Sequence, residues 1–126
     1  MIKIIGCLLL LVSMGVWAEG MVYEGGTKTV HCTDATERTD GTPLLPEEIE
    51  RVEIYVRTED GAGTVEATIL MPGGCRPMSL DLSNLTEGQK YQDGVTYDTA
   101  GRVSAHSVSL PFEYLKAPPG PPVMTE

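Results

Sequence analysis

The sequence predicts an all-β fold, a seven-stranded antiparallel β-sandwich, and three observations carry that expectation. Residues 48–58 alternate strictly, with Val52, Ile54 and Val56 interleaved by Arg51, Glu53, Tyr55 and Arg57, which is the period-2 pattern of a strand with one face buried. The remaining apolar runs are short and closely spaced, with Gly, Pro and Asp between them and no sustained helical periodicity. Residues 80–107, finally, read in order as strand, corner, strand, turn, strand.

The chain has 126 residues, enough for one domain if most of it is used. Its first part is not available to that domain. Lys3 precedes an apolar run at 4–12 too short to span a bilayer, and Val16-Trp17-Ala18 after it ends on a small residue suited to signal-peptidase cleavage. Residues 1–18 are therefore expected to be a signal peptide, Glu19 the mature start, and the product exported, either periplasmic or secreted. Cys7 has most of the apolar run, residues 8–12, after it instead of before it, the wrong order for a lipidated cysteine.

The formal net charge is −9, and removing Lys3 with the leader takes it to −10. Nucleic acid and anionic membrane would repel such a chain. Neither is expected as a partner, and no stable membrane insertion is expected once the leader is gone. The acids are dispersed, as solubility alone requires.

Taken in order, residues 21–23 form a short first strand stopped by Gly25-Gly26, and residues 27–32 a second with Val30 and Cys32 on one face. Residues 33–46 hold Thr, Asp, Gly and Pro and form a long loop. The third strand is residues 48–58, where β-branched side chains at 52, 54 and 56 favour a pleat over a helical turn. Residues 59–63, EDGAG, turn into a fourth strand at 64–70. Met71-Pro72-Gly73-Gly74 breaks the ladder before a fifth strand at 78–82. A corner at 84–88 leads into the sixth strand at Tyr91. A loop centred on Gly101 then leads to a last strand at about 103–110. Pro111, Pro118, Pro119, Pro121 and Pro122 mark the exit, so the domain is expected to span 19–115 and residues 116–126 to be a disordered Pro-rich tail.

Two segments carry a family resemblance. Leu80-x-Leu82-x-x-Leu85-x-x-Gly88-x-x-Tyr91, continued by residues 97–107, resembles the second half of a fibronectin type III domain. Thr39-Asp40-Gly41-Thr42-Pro43-Leu44, followed by Glu48-Ile49 and residues 52–55, is similar to the loop and third strand of bacterial exported modules of that family. The resemblance implies an immunoglobulin-like sandwich. It also implies a tyrosine corner, in which Leu85 is buried under the turn at Gly88 and a buried Tyr91 reaches its hydroxyl back to corner backbone. Strand order in such a sandwich sets the end of the second strand beside the start of the fifth, which implies a Cys32–Cys75 disulfide between the two cysteines of the mature chain. Three positions depart from the pattern. Cys32 stands where the family has a core Trp, His106 stands where a large apolar residue is usual, and Asp93-Gly94 interrupts the sixth strand. Either a bulge turns Asp93 outward or a carboxylate faces the core at considerable cost.

No set of residues reaches catalytic status. His31 and His106 lie on separate strands with no partner at zinc-ligand spacing. Ser104, Ser107 and Ser109 lack the strand-to-helix elbow of a serine nucleophile. Asp34, Asp40, Asp93 and Asp98 sit in or near loops without a calcium-loop motif. No metal and no cofactor is implied, and the chain is expected not to be an enzyme. The outward row Arg51, Glu53, Tyr55 and Arg57 is the candidate binding site, because an aromatic flanked by arginines is a common anchor composition. The expected role is a non-enzymatic exported binding or structural module contacting another protein or a glycan. The alternative is an inhibitor or accessory subunit of a partner enzyme, acting through loop 33–46.

Overall fold

The structure is a computed structural model that describes residues 21–125. The expected signal peptide and the start at Glu19 lie outside the described residues. Seven strands follow one another: β1 Met21–Glu24, β2 Thr27–Val30, β3 Ile49–Glu59, β4 Ala62–Pro72, β5 Met78–Asp81, β6 Gly88–Asp98 and β7 Leu110–Leu115. Single 3-10 turns at Pro46–Glu48 and Leu82–Asn84 precede β3 and follow β5. Among the described residues no helix is long and apolar enough to cross a membrane.

The strands form a five-stranded sheet of order β1-β7-β6-β3-β4 and a two-stranded sheet of β2 and β5. Keeping the second and fifth strands in one sheet and the third, sixth and seventh in the other is the connectivity of an immunoglobulin-like sandwich. The all-β, fibronectin type III-like architecture is therefore present. One pairing departs from expectation: β1 runs parallel to β7, Met21 opposite Phe112, and the other strand pairs are antiparallel.

β3 is central because its alternation is the cleanest. Val52, Ile54 and Val56 point between the sheets and meet Ile69 and Met71 of β4, Val30 and Leu80 of the small sheet, Leu82 and Leu85 of the corner, and Phe112 and Tyr114 of β7. β2 and β5 pair with Val30 opposite Met78, which brings the segments just beyond them together. There Cys32 and Cys75 are joined by a disulfide, Cα atoms 5.3 Å apart. Asp34 accepts the Cys75 backbone N–H at 2.7 Å. Gly74, at φ +129°, leaves that carboxylate room: a Cβ there would lie 2.8 Å from an Asp34 oxygen.

The last strand lies further along the chain than the sequence suggests. Residues 103–109 do run beside β6, with Val103 bridged to Tyr97 and the N–H groups of Ser104 and Ser107 donating to Thr96 and Gly94 carbonyls. The return bonds go to hydroxyls: Thr96 N–H donates to Ser104 Oγ and Gly94 N–H to Ser107 Oγ. A regular ladder begins at Leu110 opposite Gln92. Pro111 reads as a breaker but sits inside β7 opposite Tyr91, one residue before the described pairing with β1 begins at Phe112.

β6 also corrects the expected corner. Its register with β3 sets Tyr91 opposite Arg57, Asp93 opposite Tyr55 and Val95 opposite Glu53, so these residues share the outer face, while Gln92 and Gly94 oppose Val56 and Ile54 on the inner one. The register is unbroken from Arg51 to Arg57; no bulge is needed to turn Asp93 outward. Leu85 is buried, but Tyr91 is only half-buried and on the outer face. Lys90 takes the inner place instead. It is 2% exposed, and its Nζ donates to Glu66 Oε1 at 2.8 Å and Thr86 Oγ1 at 2.5 Å. Gly94 keeps a close approach to Ile54: a Cβ there would fall 2.7 Å from Ile54 Cδ1 and 3.2 Å from the Glu53 carbonyl oxygen.

Candidate functional site

The expected binding row lies on the outer face of the large sheet, on its central strand. Because β3 pairs with β6, the row acquires a second one across it. Leu70, Glu53 and Val95 stand in line, as do Thr68, Tyr55 and Asp93, and Val65, Arg57 and Tyr91. Val95 is 4% exposed although it faces outward. The side chains around it therefore form a second layer over the sheet.

Paired charges hold that layer in place. Arg51 Nε donates to Glu53 Oε2 at 2.7 Å, and its guanidinium lies 3.7 Å from the Tyr97 ring centre. Tyr55 donates its hydroxyl to Glu53 Oε1 at 2.6 Å. Arg57 Nε donates to Asp93 Oδ1 at 3.1 Å, and His106 Nδ1 lies 2.7 Å from Asp93 Oδ2. The Tyr55 ring stands between His106, centroids 5.7 Å apart, and Arg57, at 5.2 Å. The hydrogen bond to the Glu53 carboxylate, with burial in support, pushes the Tyr55 phenol up to about 12. The same bond, then that from Arg51, holds Glu53 below the usual carboxylate range. Sequence reasoning identified β3's contribution. It missed Asp93, Tyr97 and His106, which join only through the β6 pairing and the irregular 103–109 segment. Alternation in β6 places Asp93 and Tyr97 on one side, and that was the available signal.

Asp93 and His106 form the oriented carboxylate–imidazole pair that nucleophilic catalysis uses. The neighbouring hydroxyl is committed elsewhere: Ser107 Oγ accepts from Gly94 N–H at 3.0 Å and donates to the Val108 carbonyl at 3.2 Å. Ser104 Oγ is engaged in the same way by Thr96 N–H and the Ala105 carbonyl. An open cleft of about 520 Å³ borders the pair, lined by Arg57, Asp60, Ser107 and Val108 among others.

Loop 33–46 is folded. Glu37 bridges Pro43, Arg38 N–H donates to the Thr42 carbonyl, and Asp40 caps its own turn through Thr42. Arg38 anchors it to Asp98 of β6 at 2.9 Å. The Arg102 backbone N–H, followed by Arg38, holds Asp98 below the usual range. Between this loop and residues 96–104 lies a second cleft, of about 370 Å³. The four loop aspartates do not converge. Asp34 binds Cys75, Asp40 binds Thr42, Asp93 binds Arg57 and His106, and Asp98 binds Arg38. Among the described residues no three of His, Cys, Asp and Glu group as a metal would need.

The geometry defines the class of fold, a fibronectin type III-like sandwich with one ordered polar and aromatic face. No protein-family model and no curated protein matches the sequence. Among solved structures, the fibronectin(III)-like modules of Clostridium thermocellum CbhA are similar to it. The identity is 15%, the TM-score 0.47, and 78% of this chain and 88% of that one are covered.

Proposed function

We propose that this is a non-enzymatic, exported binding module that contacts a partner through the outer face of β3 and β6. The observation that carries the reading is the set Arg51, Tyr55, Arg57, Tyr97 and His106. Glu53 holds Arg51 and Tyr55, Asp93 holds Arg57 and His106, and Tyr97 lies against the Arg51 guanidinium, all before any partner arrives. Tyrosine and arginine dominate binding hot spots, and side chains already fixed lose little entropy on association. The Tyr55 and Tyr97 rings are covered by His106 and the two arginines, leaving guanidinium and phenol edges in place of a bare ring for a sugar to stack on. That favours protein over glycan as the partner. The Cys32–Cys75 disulfide supports export, since such bonds persist in oxidising compartments.

Immobilised protein should capture its partner from envelope or culture fractions. Tyr55→Ala and Arg51→Ala should lose that capture, while Ser79→Ala, on the exposed side of the small sheet, should keep it. Equal capture by all three variants would reject the face as the site.

The second reading, an inhibitor or accessory subunit acting through loop 33–46, is favoured by one observation. The loop is internally bonded and anchored at Arg38, as a segment inserted into an enzyme cleft has to be. In that case Thr39→Ala or Thr42→Ala would remove capture and Tyr55→Ala would not.

A further inference from the structure

We infer that residues 117–124 are a second recognition element, a polyproline helix that seats in a partner protein's groove lined by tyrosine and tryptophan rings. Its root is fixed on the domain. Lys116 backbone N–H donates to Glu87 Oε1 at 2.8 Å, and Ala117 lies beside Gly25. Beyond the root, residues 118–125 are exposed and belong to no strand or helix, with Val123 87% and Met124 85% exposed. Local sterics set the backbone there. Proline rings hold φ at about −65° at positions 118, 119, 121 and 122, and the residue before each proline is pushed to extended backbone, which adds Ala117 and Gly120. Every residue of 117–122 is therefore biased toward one left-handed helix of about three residues per turn. Positions three apart share an edge: Pro119 with Pro122, Pro118 with Pro121, and Ala117 with Gly120. Two edges are prolyl and the third is nearly bare.

The chemistry of the segment selects its occupant. Residues 117–125 carry no charge in a chain of net charge −9, so charged surfaces have nothing to pair with there. The four prolines lack an N–H, which prevents the segment from joining a partner's sheet as an added strand. What remains is a ridge of pyrrolidine rings beside solvated carbonyl acceptors. Flat aromatic rings fit against the two prolyl edges, and Tyr O–H and Trp N–H donate to the carbonyls. A backbone already held in this helix loses little entropy on docking. Val123 and Met124 continue the apolar contact past the prolines. The segment leaves the domain at the Gly88 end of β6, where Tyr114 lies opposite Gly88. Its contact is therefore separate from the outer-face site around Tyr55 and Tyr97.

The test titrates a purified SH3-type domain, with a tryptophan in its aromatic groove, with the processed protein up to about 1 mM. Trp17 is the chain's one tryptophan, so protein beginning at the expected Glu19 is silent and the groove reports alone. Its emission should change saturably. Pro119→Ala combined with Pro122→Ala should weaken binding at least ~10-fold, while Gly120→Ala, on the bare edge, should keep it. The melting temperature should be retained in both variants, because residues 118–125 are exposed. No change in emission up to about 1 mM, which would leave the segment a Pro-rich spacer only, equal binding by the double proline variant, or an equal loss from Gly120→Ala would each overturn the inference.

Discussion

Replacing Lys90 by methionine should destabilise the domain severely even though it makes a core position more apolar. Lys90 is 2% exposed, and its ammonium is matched by Glu66, whose side chain is 12% exposed. Burial pushes the Glu66 carboxyl up, but the hydrogen bonds from Lys90 and Thr86 outweigh it and hold the group below its ordinary range. Without the ammonium, that carboxylate keeps only Thr86 as a partner. Breaking one side of a buried pair costs roughly 3–5 kcal/mol, a large part of the ~5–15 kcal/mol that holds a domain together. At roughly 4–8 °C per kcal/mol for a small domain, the melting temperature should fall by at least about 12 °C. The double variant Lys90→Met, Glu66→Leu removes both charges and should recover most of the loss or exceed the wild type. Denaturant unfolding of the two single variants and the double completes the cycle. A Lys90→Met loss within ~0.5 kcal/mol, or single losses that simply add, would refute the buried pair.

Thiol titration of unfolded, unreduced protein should find no free thiol at Cys32 or Cys75. Replacing both by serine should cost up to about 4 kcal/mol in unfolding free energy, from closure of a loop of 43 residues. Spectrophotometric titration should show Tyr55 ionising at about 12, above the ordinary 10.0, and Glu53→Gln should bring it back toward normal. Since folding raises the Tyr55 pKa, its contribution to stability is complete below pH 10 and lost as pH climbs through about 12. Glu53 and Asp98 have depressed values, so theirs is present above the ordinary carboxylate range and lost in acid. Unfolding curves from pH 2 to pH 12 should fall at both ends. Gly94→Ala should cost ~1–3 kcal/mol, because the new methyl meets Ile54 Cδ1 at 2.7 Å and the Glu53 carbonyl at 3.2 Å. Equal stability of that variant would place Gly94 on the outer face.

What could be read from the sequence was what neighbouring residues decide. β3 was legible because Val52, Ile54 and Val56 alternate without interruption, while the Cys32–Cys75 pairing followed only from the strand order that the fibronectin type III resemblance implied. β6 was not legible, because a one-residue choice between Lys90 and Tyr91 flips every side chain to the other face. Tyrosine is the better core residue on its own. Only the position of Glu66, on a strand twenty-four residues earlier, makes Lys90 the buried one. β7 was misplaced for a related reason: residues 103–109 do run against β6, but Ser104 and Ser107 hydroxyls replace part of the ladder, and Pro111 looked like its end. At the candidate site, half the layer comes from β3 and was visible. Asp93, Tyr97 and His106 depend on which strand lies next to β3, and no local pattern states that.

The proposed partner surface is the outer face of β3 and β6. Photo-cross-linking in producing cells tests it most directly, with benzoylphenylalanine placed one position at a time at Tyr55 and Tyr91 on that face, Thr29 and Ser79 on the small sheet, and Thr39 in the loop. Adducts to a common partner from Tyr55 and Tyr91, with none from Thr29 or Ser79, are the result expected. Adducts confined to Thr29 and Ser79, or to Thr39, would contradict it.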